Sequence, residues 1–144
     1  MAEALLHRKD RPHFRAHSAG SQPSGVVHPE PRKQIELATA STEEFRSKSW
    51  NEFQKPDAPQ IDLVFTVCDH AASQSCPVWP GQPVTAPGGL PDPATVTGSA
   101  EQVERAFHDA FMTLDRRIAL FLNLPLSTLD GLAIKTEIEG MGLA

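Results

Sequence analysis

Apolar residues recur at steps of three and four through Val103, Phe107, Ala110, Leu114, Ile118 and Phe121, which predicts an amphipathic helix of about five turns. Ser99 and Gln102 stand ahead of it as a capping box, which satisfies free N–H groups of the first turn, and Pro125 ends the run. Leu129, Leu132, Ile134 and Ile138 predict a last, shorter helix with Gly140 as its stop. At the other end, Ala2 to Arg8 reads as a helical stub without an N-cap residue, closed by Pro12. Arg32 to Phe45 carries only a sparse stripe of Ile35, Leu37, Ala38 and Phe45. Thr39, Ser41 and Thr42 weaken it, so helix and irregular chain both stay open there.

Two stretches read as strands. Ile61 to Cys68 is short, β-branched and nearly continuously apolar, as a strand buried on both faces of a parallel sheet should be. Phe14 to Gly20 alternates weakly and stops at glycine. Gly20 to Pro31, with its glycines, prolines and serines, reads as loop. Six prolines between Pro77 and Pro93 predict a rigid extended loop. Strands alternating with helices indicate an α/β fold with a small parallel sheet, although three strands at most is thin for one.

Length and composition narrow the field. The 144 residues fit one domain, residues 1–144, large enough to bury a core without staples. Two cysteines exclude a disulfide-dense scaffold and a zinc site closed by four thiolates. A net charge of −5 disfavours nucleic acid as a partner, since phosphate binding needs a basic face. The longest apolar stretch, Leu63 to Cys68, is far too short to span a membrane, and no secretory leader opens the chain. A cytoplasmic protein is the default expectation.

The chemistry gathers after the strand. Cys68 stands where strand gives way to loop, and in open α/β sheets this carboxyl edge is where ligands bind. Cys76 follows eight residues later across small, flexible residues. The two thiols read either as a redox pair or as a buried strand-end cysteine beside an unrelated loop cysteine. A zinc set of Cys68, Asp69, His70 and Cys76 is disfavoured, because consecutive residues rarely converge on one tetrahedral ion. Asp92, held between Pro91 and Pro93, reads as a general acid fixed over a site or as a turn aspartate. His28, Trp50 and Trp79 have packing or surface readings, and Arg105, His108, Arg116 and Arg117 read as the solvated face of the long helix. No cofactor or metal is expected: the chain has no Gly-rich phosphate loop, no His-Glu-x-x-His and no Gly-x-Ser-x-Gly.

Read in order, several stretches resemble one family. These are Met1-Ala2-Glu3-Ala4-Leu5-Leu6, Ser18-Ala19-Gly20-Ser21-Gln22-Pro23, Val27-His28-Pro29 and Arg46-Ser47-Lys48-Ser49-Trp50. They continue with Val64-Phe65-Thr66-Val67-Cys68-Asp69, Cys76-Pro77-Val78-Trp79-Pro80-Gly81, Pro91-Asp92-Pro93 and Leu122-Asn123-Leu124-Pro125-Leu126. The chain resembles the thioredoxin-coupled arsenate reductases built on the low-molecular-weight protein-tyrosine-phosphatase fold. The resemblance implies a three-layer α/β domain and a cysteine relay. In that relay a low-pKa cysteine in a Cys-x5-Arg loop attacks bound arsenate at a helix N-terminus. A thiol at the position of Cys68 then attacks the adduct and releases arsenite. A thiol at the position of Cys76 captures Cys68, thioredoxin reduces the resulting bond, and the aspartate at the position of Asp92 protonates the leaving oxygen.

The chain departs from the family at its start. The Met-Ala-Glu-Ala-Leu segment follows directly on the anion loop in the family, so the nucleophile, its arginine and the first, central strand of the sheet are missing here. Pro87-Gly88-Gly89 stands where members carry His-Trp-Gly, and Arg32 to Thr42 lacks the usual Gly-Ile-Asp turn. The expectation is an arsenate reductase-like domain that is inactive as written, through relaxed constraint or a start assigned inside the reading frame. The alternatives are a non-catalytic thiol redox or binding module and, next, a low-molecular-weight phosphatase.

Overall fold

The computed structural model describes residues 1–10, 12–38, 45–68 and 78–142, with the backbone alone for Cys68 and Pro87. It mixes helix and strand around a small parallel sheet. Four α-helices are present among these residues: α1 (Ala2–Asp10), α2 (Pro29–Ala38), α3 (Ala100–Leu122) and α4 (Gly131–Gly142). The sheet has two strands, β1 (Leu63–Cys68) and β2 (Val84–Leu90).

The long helix forms where its stripe predicts. Ser99 caps α3, its hydroxyl accepting from the Gln102 N–H while the Gln102 side chain accepts from the Ser99 N–H. The buried residues are Phe107, Phe111, Leu114 and Phe121, so the core face includes Phe111, which the simple spacing skips. This helix serves two apolar clusters. Leu5 of α1 and Leu90 of β2 meet Phe111 and Leu114 in the first. Ala86 of β2 and Ile138 of α4 meet Phe121 in the second, with Phe14 and Phe65 packed against them. Leu5 is only 1% exposed, so the short α1 is held by packing rather than by propensity.

Three expectations are corrected. First, part of the proline-rich loop is strand: β2 runs parallel to β1, with Leu63 beside Val84 and Phe65 beside Ala86. Pro87 lacks the N–H for a ladder bond, yet among the described residues no strand pairs with the outer edge of β2, and the register shifts just there. Thr66 pairs Pro87 while Cys68 pairs Leu90, so the Pro87-Gly88-Gly89 stretch carries one extra residue in a bulge. Second, Phe14 to Ala19 is not a strand. Most of it lies in an irregular strap, residues 12–18, that leads to a parallel bridge between Gly20 and Ser49. Its backbone groups are satisfied elsewhere: the Ala16 N–H by His7, and Gly20 by the Lys48 carbonyl and the Trp50 N–H. Third, Gly140 lies inside α4, which continues to Gly142.

The open region around Arg32 is settled in part. α2 starts at Pro29, where a missing N–H costs nothing, and His28 Nδ1 accepts from the Glu30 N–H ahead of it. Residues 39–44 lie outside the described residues. A short 3-10 turn, Trp50–Gln54, is capped by the Ser49 hydroxyl. No described helix is long and apolar enough to cross a membrane.

Candidate functional site at the carboxyl edge of the parallel pair

Parallel strands end on the same side, and here that geometry brings the ends of β1 and β2 to one edge. Cys68 is the last residue of β1 and lies in register with Leu90, the last residue of β2. Asp92 follows two residues later, so it leaves the sheet at the edge where Cys68 does. Adjacent strands lie about 4.8 Å apart, which keeps the two chain exits close. Cys76, Asp69 and His70 lie outside the described residues, so the cysteine pair and the disfavoured zinc set fall there too. Among the described residues no three metal-ligating side chains come together.

Asp92 has a local task. Its Oδ1 accepts from the Ala94 N–H at 2.9 Å, capping the 3-10 turn Pro93–Thr95, and the Thr95 hydroxyl donates to its carbonyl. The residue is exposed, and a carboxylate with one capping oxygen retains acceptor capacity on the other.

Arg117 is the residue that the sequence misplaces. It is not on the solvated face: its Nη1 donates to the Gly88 and Gly89 carbonyls, at 2.9 and 3.1 Å, and the side chain is half-buried. The bulge turns these carbonyls away from the ladder, and a guanidinium suits two acceptors at once. Arg117 stands three residues after buried Leu114 and four before buried Phe121, a spacing that assigns it to the inner face.

A second cluster sits where α1 begins. Glu3, 9% exposed, accepts from the Ser18 hydroxyl and lies 3.8 Å from the Lys48 ammonium, whose side chain is 6% exposed. Two residues after Lys48 in the chain, Trp50 meets the buried Trp79 edge-on, with ring centroids 6.4 Å apart. The Trp79 indole N–H has no hydrogen-bond partner among the described residues.

His17 borders the cluster. Its ring lies 5.3 Å from that of Phe53, and although the residue is exposed overall, partial desolvation lowers its pKa below the ordinary imidazole value. The Glu3 carboxylate opposes the shift, and Lys48 adds to it. Its folded-state value is depressed, so the unfolded chain binds the proton more readily. Stability therefore falls as pH drops through the range just below about 6.5. Melting temperatures followed from about pH 8 to about pH 5 should decline, and His17→Gln should flatten part of that slope.

No protein-family model matches the chain, and no curated protein matches it.

Proposed function

We propose that this domain carries the relay half of a thioredoxin-coupled arsenate reductase of the low-molecular-weight phosphatase fold. The observation that supports this reading most is the position of Cys68 at the carboxyl end of β1, in register with the strand that leads to Asp92. A strand end is where a thiol can meet a ligand in an open α/β sheet. Four helices with a parallel pair are compatible with the three-layer fold that the resemblance implies.

In this reading the nucleophilic thiolate and its anion loop come from residues ahead of Met1. Neither cysteine here begins a Cys-x5-Arg loop, because Gln74 and Gln82 stand at the arginine positions. The nucleophile displaces an oxygen from arsenate, with Asp92 donating the proton to the leaving group. The Cys68 thiolate attacks the sulfur of the thiol–arsenic adduct, and the arsenic leaves with the electron pair as arsenite. Cys76 then displaces the nucleophile from Cys68, and the Cys68–Cys76 bond passes to a thioredoxin dithiol. The upstream strand pairs with the outer edge of β1, which has no strand partner among the described residues.

The test compares the 144-residue chain with a form extended by the sequence encoded upstream, assayed for arsenate reduction with thioredoxin. Turnover is expected only in the extended form, and Cys68→Ser or Cys76→Ser should abolish it. Turnover that survives Cys68→Ser would overturn the relay. The absence of a Cys-x5-Arg loop within the chain favours a second reading, a thiol exchange module without reductase turnover. It predicts reversible thiol oxidation and no arsenate reduction in either form.

A further inference from the structure

We propose that His7 is a pH-operated latch between α1 and the strap of residues 12–18, closed by the neutral imidazole and opened by its protonation. The Ala16 N–H donates to His7 Nε2 at 3.1 Å. A backbone amide can only donate, so the accepting nitrogen carries no proton and the ring holds its single proton on Nδ1. Ala16 is buried, at 9% exposed, and no strand pairs with the strap among the described residues. Protonation would set an Nε2–H against the Ala16 N–H, donor facing donor, and leave a buried amide without an acceptor.

The latch belongs to a matched pair of ties. Glu3 and His7 are four residues apart on α1, about 6 Å along one helix face. Ser18 and Ala16, which they hold, are two residues apart on the strap, about 6.6 Å in extended chain. The two spacings agree, so the strap lies along the helix and is fastened at both ends. Releasing the His7 end leaves the other tie to the Ser18 hydroxyl alone.

Among the described residues, the carboxylates on the helix that carries His7 already hold partners of their own. On α1, Glu3 is engaged by Ser18 and Lys48, and Asp10 by His13 at 2.6 Å. Arg8 and Lys9 follow on the same helix, and Lys9 pairs with Asp115 of α3. From the strap, His13 and Arg15 line with His7, Pro12 and Phe14 a cavity of about 430 Å³, and His17 lies beyond. Further along the chain, the Phe45 ring is 6.3 Å from that of His7, and Arg46 pairs with Glu52. The device is independent of the thiol chemistry, since it needs neither cysteine.

The experiment uses the 15N-labelled wild-type chain. Long-range 1H–15N correlations at about pH 8 are expected to give the Nδ1–H tautomer for His7. Exchange of the Ala16 amide, normalised to its intrinsic rate, should accelerate about tenfold on His7 protonation, while the Leu114 amide keeps its protection. In His7→Gln, whose carboxamide oxygen accepts without titrating, Ala16 should stay protected throughout. An Nε2–H tautomer at about pH 8, or Ala16 protection unchanged through His7 protonation, would overturn the proposal. The same acid response in His7→Gln as in wild type would overturn it too. The wild-type measurement stands even where the variant fails to fold.

Discussion

Phe121→Ala is expected to destabilise the domain by about 3–5 kcal/mol, the range for removing a buried aromatic and leaving a cavity. Phe121 is 5% exposed and packs against several elements. Its ring lies 5.5 Å from Phe14 of the strap and 5.1 Å edge-on from Phe65 of β1, and it shares a cluster with Ala86 and Ile138. A β-strand pair is marginal alone, so the parallel pair depends on the helices packed against it. Urea unfolding should show the midpoint falling at unchanged slope. A loss below about 1 kcal/mol would mean that the second cluster is not a real core.

Lys48→Met is expected to cost about 3–5 kcal/mol, because it removes the ammonium that faces the buried Glu3 carboxylate, which keeps the Ser18 hydroxyl as a hydrogen-bond donor. The pair itself is not a large source of stability. Desolvating both ions offsets much of their attraction, so the double replacement Glu3→Gln with Lys48→Met should recover most of the loss. Equal losses in the single and double variants would show that Lys48 acts through packing of its stem and not through charge. The same denaturant series reports both outcomes.

The elements most legible in the sequence are those whose local signals agree with their packing. In α3 the cap, the stripe and the closing proline all point one way. β1 was legible because a short run of β-branched residues has few other uses. β2 was not, since Pro87, Gly88 and Gly89 carry loop signals. It is a strand because Ala86, fully buried, and Leu90 pack inward against the helices, and because the bulge absorbs the irregular residues. Tertiary packing overrides propensity there. The strap failed in the opposite direction, as the alternation at Phe14 and Ala16 reflects burial against α1 and α3 rather than a ladder.

The candidate site was legible to the same degree as the strands that carry it. Cys68 and Asp92 share one edge because β2 exists, which the sequence reading did not contain. The role of Arg117 in holding the Gly88 and Gly89 carbonyls follows from that same strand. The Glu3–Lys48 pair is not legible in the sequence, because charged residues at separate positions give no periodic signal and pairing in three dimensions is what lets them be buried.

The central claim is that Cys68 and Cys76 exchange as a pair. A disulfide needs their Cα atoms within about 4.4–6.8 Å, which the seven intervening residues, two Ala and two Ser among them, are long enough to supply. The direct measurement is mild oxidation of the reduced chain, followed by alkylation, peptide mapping and challenge with reduced thioredoxin. One intramolecular Cys68–Cys76 disulfide, reopened by thioredoxin, is the predicted result. Two thiols that stay open to alkylation, or disulfides formed only between chains, would contradict the account.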